Sequence, residues 1–209
     1  MFHARATHEG SRSGRCIEFP SPTGAGPLRG RRPGLTASRY DRSVLLRCTK
    51  KLLAVLGSGL VVESAVVPDP LDWYANLVFF DGRKCLLLTH AGTLFTVLEP
   101  DIRAHDLRPP QAFVVGVVER ELAAENLSTD TFGRLNDEGL RIARTADRSV
   151  LGCMNDMAYL AGDLIARAGG LKHASIGSVN RALRRNINSS RGYARPIDLV
   201  LECVSRPPQ

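Results

Sequence analysis

A chain of 209 residues, 44% of them hydrophobic, can build one ordinary core with an appendage, and 28 basic against 21 acidic residues give it a net charge of +7. The charge is no argument for nucleic acid: residues 1–47 hold nine Arg against Glu9, Glu18 and Asp41, a net of +6, and leave the other 162 residues 19 basic and 18 acidic side chains, a net of +1. Five cysteines without CxxC spacing exclude a disulfide framework and a zinc site, and apolar runs far short of the roughly 18–20 residues of a membrane helix leave a chain that reads as reduced and cytoplasmic, with no cofactor implied.

Residues 1–42 are rich in Gly, Pro, Ser and Arg, with Ile17, Phe19, Leu28 and Leu35 scattered among them. So little apolar surface cannot offset the entropy of ordering, and the segment reads as a disordered, solvated leader, of the kind an over-extended translation start would also give, rather than a nucleic-acid tail. Residues 43–205 read as a single domain. Val44, Leu45 and Leu46 form a short strand, and Thr49 caps a helix through Leu56 closed by Gly57. The Gly57, Ser58, Gly59 run is no dinucleotide loop, since Val62 stands at the third glycine position and a helix precedes it. Pro68 and Pro70 mark a loop, with Asp69 and Asp72 as turn residues.

Residues 73–98 carry the clearest β pattern. An aromatic and β-branched run to Phe80, the turn Asp81–Gly82, residues 84–89, and a turn at His90, Ala91 and Gly92 into residues 93–98 make an antiparallel meander. Its middle strand, with Cys85, Leu86, Leu87 and Leu88, is apolar on both faces, so something must cover each side. After Pro109 and Pro110 a helix runs from about 111 to 126, burying Phe113, Val114, Val117, Val118 and Leu122 and turning Glu119, Glu121 and Glu125 to water. A short helical turn at 131–136 and a strand around Leu140, Ile142 and Ala143 follow.

The longest helical pattern spans 148–167. Val150, Met154, Met157, Ala161, Leu164 and Ala168 recur at spacings of four and three, a core stripe. Arg148, Gly152, Asn155, Tyr159 and Asp163 form a second stripe with Asp156 beside it: an arginine, an amide, a carboxylate and a phenol around a glycine that costs a helix about 1 kcal/mol. Either Gly152 admits a neighbouring backbone and the polar side chains tie the helix to the sheet, or the stripe lines a site. The second reading predicts a concave surface at Gly152 holding Arg148, Asn155 and Asp156, with Lys50, Lys51 and Trp73 nearby. A catalytic constellation cannot be drawn from the spacing; an enzyme would have to recruit Cys48, Lys50 or Asp156.

Three runs carry a resemblance: Arg47, Cys48, Thr49, Lys50, Lys51, Leu52, Leu53; then Asp72, Trp73, Tyr74, Ala75, Asn76, Leu77; then the ten residues from Asp147 to Asp156. With Thr93, Leu94, Phe95, Gly192, Tyr193 and Pro196 they make residues 44–203 resemble a bacterial family catalogued as a domain of unknown function, number 6933. The resemblance implies a small cytoplasmic α+β domain without an assigned activity. Cys153 stands where the family would have serine, and the leader has no counterpart in it.

Gly169 and Gly170 end the long helix, and a second runs from about Ser175 to 186 with Ile176, Val179 and Leu183 inward. From Lys172 to Arg195 there are six basic side chains and no acid, so the pair at about 154–186 has the outline of a helix-turn-helix reader, with Arg181, Arg184 and Arg185 on DNA. Gly169 falls where that template wants an apolar residue, which disfavours it. Pro196 opens a last helix through Cys203. The expectation is therefore an α+β domain, an antiparallel meander packed against several helices, that binds an unidentified ligand or protein partner, with DNA binding and then catalysis as alternatives.

Overall fold

The computed structural model describes residues 44–57, 62–63, 66–133, 135 and 140–205, all within the compact unit Ala37–Gln209. The expected leader, Ser58 and Gly59, and the end of the turn expected at 131–136 lie outside the described residues. The described chain is an α+β fold around one sheet of six strands: β1 (Leu45–Cys48), β2 (Val62–Glu63), β3 (Trp73–Phe80), β4 (Arg83–His90), β5 (Thr96–Glu99) and β6 (Arg141–Arg144). The helices are α1 (Lys50–Leu56), α2 (Pro110–Ala123), α3 (Arg148–Arg167), α4 (Ile176–Arg185) and α5 (Pro196–Ser205).

The strand order is β2-β6-β1-β3-β4-β5. The meander is there, β3 against β4 and β4 against β5 antiparallel, turned at Asp81 and Gly82 with both φ positive, as a type I′ hairpin requires. The other half of the sheet is parallel: β1 pairs with β3 and β6, and β6 with β2. Parallel neighbours need crossovers, which here run through α1 and through the long path from β3 to β6, so no local turn signal marks them.

Side chains alternate across the pleat and give each face its own core. Leu46, Cys48, Trp73, Ala75, Leu77, Leu86, Leu88 and Ile142 pack with residues of α1, α2 and α5. Tyr74, Cys85, Leu87 and Leu98 pack with Val150, Met154, Met157 and Ala161 of α3 and Val179 and Leu183 of α4. Both faces of β4 are thus covered, as its apolar run demanded. The inward side of α3 differs from the expected stripe at one end: Cys153 and Ile165 are buried, whereas Ala168 is exposed at the C-cap, where the helix turns off the sheet.

Local chemistry sets the helix ends. Thr49 Oγ1 accepts from the Leu52 amide at the start of α1 and donates to Asn76 Oδ1 at 2.9 Å, so one hydroxyl caps a helix and ties it to β3. Asp147 caps α3 by accepting from Ser149 and Val150, and its own amide donates to the Tyr74 hydroxyl. Where α3 meets α4, the Leu171 amide donates to Asp81 Oδ2 at 2.6 Å, pinning the hairpin turn to the helical layer. Asn180 of α4 accepts from the Leu98 amide and donates to the Leu98 carbonyl, which protects the β5 edge from pairing with another chain.

Candidate functional site

The family-like runs meet in space, and what they build first is structure. Arg47 and Asp72, both buried, form an ion pair at 2.5 Å, and three further guanidinium N–H groups donate to the Arg144, Val66 and Val67 carbonyls. Four of the five donors of this buried cation are thus used, and it clamps the chain leading into β3 onto β1 and β6. Asp72 closes the turn its loop suggested, its amide donating to the Asp69 carbonyl, and is also an anchor in the core.

Trp73 is wholly buried, its ring edge-on to Phe132 at 5.2 Å and 5.3 Å from His90. The Thr93 amide donates to His90 Nδ1, which places the proton of the neutral imidazole on Nε2. Burial holds the His90 pKa down at about 3, so the ring is neutral at physiological pH. Neither Trp73 Nε1 nor His90 Nε2 meets a hydrogen-bond partner among the described residues. Trp73 is therefore part of an aromatic core, and nothing of its ring reaches the surface.

The candidate site does not assemble as one cluster. Lys50 and Lys51 are exposed on α1, and Trp73 points into the same layer. Arg148, Gly152, Asn155 and Asp156 are all exposed on α3, which covers the opposite face of the sheet. The reason is topological: β1 and β6 are neighbours, but their following helices pack on opposite faces. Among the described residues, Arg148, Asn155 and Asp156 make no side-chain hydrogen bond or ion pair, so they do not tie the helix down. Among the described residues a Cβ added to Gly152 would meet nothing within 4 Å; Gly162, nearly three turns further along, is the glycine packed on the sheet, with Phe80 Cε1 3.2 Å from such a Cβ. Gly152 opens onto solvent.

Around it lies the most exposed aromatic surface of this layer. Tyr159, on the same stripe, is 84% exposed. The segment after α4 runs beside α3: Cys153 Sγ is 3.1 Å from Ser190 Oγ and 3.6 Å from Asn188 Oδ1, and that segment presents Ile187 at 57% and Tyr193 at 69% exposure. Sequence reasoning missed these two; the only signal was an apolar and an aromatic residue in an otherwise polar loop.

The residues proposed for other chemistries are placed differently. Cys48 is buried on the face away from Asp156, and burial pushes its thiol up to about 12, far from a reactive thiolate. Arg184, expected on a nucleic-acid face, is buried against Glu121 Oε2 at 3.0 Å with its Nε 3.1 Å from Glu125 Oε1, and lies over the Phe95 ring. Glu121 is accordingly a buried counter-ion and not a solvated residue. Arg185 pairs with Glu125 at 2.7 Å, which holds that carboxyl below its usual range, and of the three only Arg181 faces water without an ion-pair partner among the described residues. Two of the six basic side chains are thus neutralised by α2 and the residue just past its end, too distant in sequence to be read beside them.

Among the described residues no group of three or more His, Cys, Asp and Glu could hold a metal ion, and no helix is long and apolar enough to cross a membrane. The family model described as domain of unknown function (DUF6933) matches residues 45–199. No curated protein matches the chain.

Proposed function

The chain belongs to this family of unknown function, and from that premise we propose that it is a small cytoplasmic binding module that docks a protein partner on the outward face of α3. One observation carries the reading: Tyr159 stands 84% exposed two turns along the same helix stripe from Gly152, which no other side chain among the described residues approaches, with Ile187 and Tyr193 exposed on the adjoining segment. Large apolar and aromatic side chains left in water are the material of interface hot spots, and a gap at Gly152 lets a partner's side chain or backbone reach the helix axis between them. Arg148, Asn155 and Asp156, unspent within the fold, supply the polar rim.

The engaged state of Arg184 and Arg185 gives no support to a duplex-reading α4, and the buried Cys48 gives none to a nucleophile. The test compares proteins retained from the source cytosol by immobilised full-length chain and by the Tyr159→Arg and Gly152→Arg variants, each shown to melt no lower than the wild type. A species held by the wild type and lost from both variants, but kept by a Leu201→Arg variant on α5, is the expected result. An identical set on all four would overturn the proposal.

A further inference from the structure

On the other face of the sheet the chain builds a basic cleft independent of the α3 surface. β5 ends at Glu99, and Asp101, with φ of +53°, turns the chain so that the Ile102 amide donates to the Lys84 carbonyl and the Ile102 side chain is buried. The Arg103 amide then donates to Asp106 Oδ2, fixing the next turn. The result is an open, shallow cleft of about 440 Å³ walled by Arg83, Lys84, Asp101 and Arg103 over Ile102.

Its carboxylate is spent: Asp101 Oδ2 accepts from Arg83 at 2.7 Å. Lys84 and Arg103 have no ion-pair partner among the described residues, so two unneutralised cations face the cleft beside a third that is held in place. Directly across the ladder from Lys84 is Phe79, 46% exposed, with Lys51 Nζ 4.7 Å above its ring. Paired residues of neighbouring antiparallel strands lie about 5 Å apart, which puts a half-exposed ring, covered on one face by the flexible Lys51 side chain, next to an anion-accepting cleft.

We propose that this surface binds a nucleoside phosphate, its phosphates between Lys84 and Arg103 and its base packed on the Phe79 ring in the place that Lys51 Nζ takes in the free chain. Cations that a carboxylate has not neutralised select a multiply charged anion, and an exposed ring at one strand spacing selects a ligand with a flat π-face attached to it. Neither element needs the α3 face, so this site stands or falls separately from the docking surface.

The probe is ATP, titrated into the full-length chain at low salt, with adenosine and inorganic tripolyphosphate as the two halves. ATP should bind at least about ten-fold more tightly than either half, Lys84→Ala and Arg103→Ala should each weaken it about ten-fold, and Phe79→Ala about five-fold or more. Hydrogen exchange should slow on ATP addition in the peptides covering residues 79–84 and 101–104, a readout that anion binding by the arginines of residues 1–47 would not give. Unchanged exchange in those peptides, or equal affinity in wild type and the three variants, would overturn the proposal. Tripolyphosphate binding as tightly as ATP would overturn the nucleoside assignment, as would an oligonucleotide that binds more tightly than ATP.

Discussion

Replacing Gly152 by alanine adds one methyl group to the middle of α3 at a point where nothing lies within 4 Å of the new carbon. There is no clash to absorb, so the effect on folding is the difference in helix propensity, about 0.8–1 kcal/mol in favour of alanine, most of it from the lower entropy of the unfolded chain. For a domain of this size about 1 kcal/mol raises the melting temperature by roughly 2–4 °C. Gly162→Ala is the contrast: its methyl would sit 3.2 Å from Phe80 Cε1, and the strain of shifting that ring offsets the same gain, leaving a change near zero or slightly unfavourable. Gly116 of α2 is as open as Gly152, so Gly116→Ala should stabilise equally. Only Gly152→Ala should also weaken partner retention, because only it fills the gap on the stripe that carries Tyr159. Thermal and urea unfolding followed by circular dichroism measure all three. A Gly152→Ala variant less stable than wild type would refute the open geometry, and one that stabilises without affecting retention would remove the functional reason for the glycine.

Asp72→Ala should cost about 3–5 kcal/mol in urea unfolding by leaving the Arg47 cation buried without its counter-ion, whereas Arg141→Ala, which breaks a surface pair with Glu63, should cost at most about 1 kcal/mol. His90 is neutral in the fold down to about pH 3 and becomes protonated in the unfolded chain below its ordinary value of 6.5, so unfolding is favoured as pH falls through that window, by up to about 1.4 kcal/mol per unit. His90→Gln should remove that part of the slope between pH 6.5 and 4; an unchanged slope would mean that the ring is protonated in the native state. Alkylation mapped by mass spectrometry should label Cys203 quickly and Cys48, Cys85 and Cys153 only on the timescale of unfolding, and rapid labelling of Cys48 would contradict its place in the core.

What the sequence disclosed follows the range of the forces involved. The cap at Thr49, the hairpin at Asp81 and Gly82, the bounds of α3 and the proline opening α5 are set by residues a few positions apart, and each is readable from one stretch. The parallel half of the sheet joins segments 27 residues apart at β1 and β3 and nearly a hundred apart at β1 and β6, as Arg47 and the Arg144 carbonyl are, and has no local mark. For the same reason Glu121 and Arg184 each looked like a solvated charge when read along its own helix; their burial is a property of the pair. The stripe of Arg148, Gly152, Asn155 and Tyr159 was legible as a stripe because helical periodicity puts those positions in line. That Lys50 and Trp73 would fall on the other side of the sheet depended on the strand order, which periodicity does not contain.

The account rests on the outward face of α3 being occupied in the cell, and hydroxyl-radical footprinting measures that without knowing the partner. The same full-length chain is labelled in purified form and in the source cytosol, and modification is compared residue by residue. The account predicts that Tyr159 and Tyr193 are several-fold less modified in the cytosol while the exposed Leu201 and Val204 of α5 are unchanged. Equal modification of both tyrosines in the two settings would contradict it.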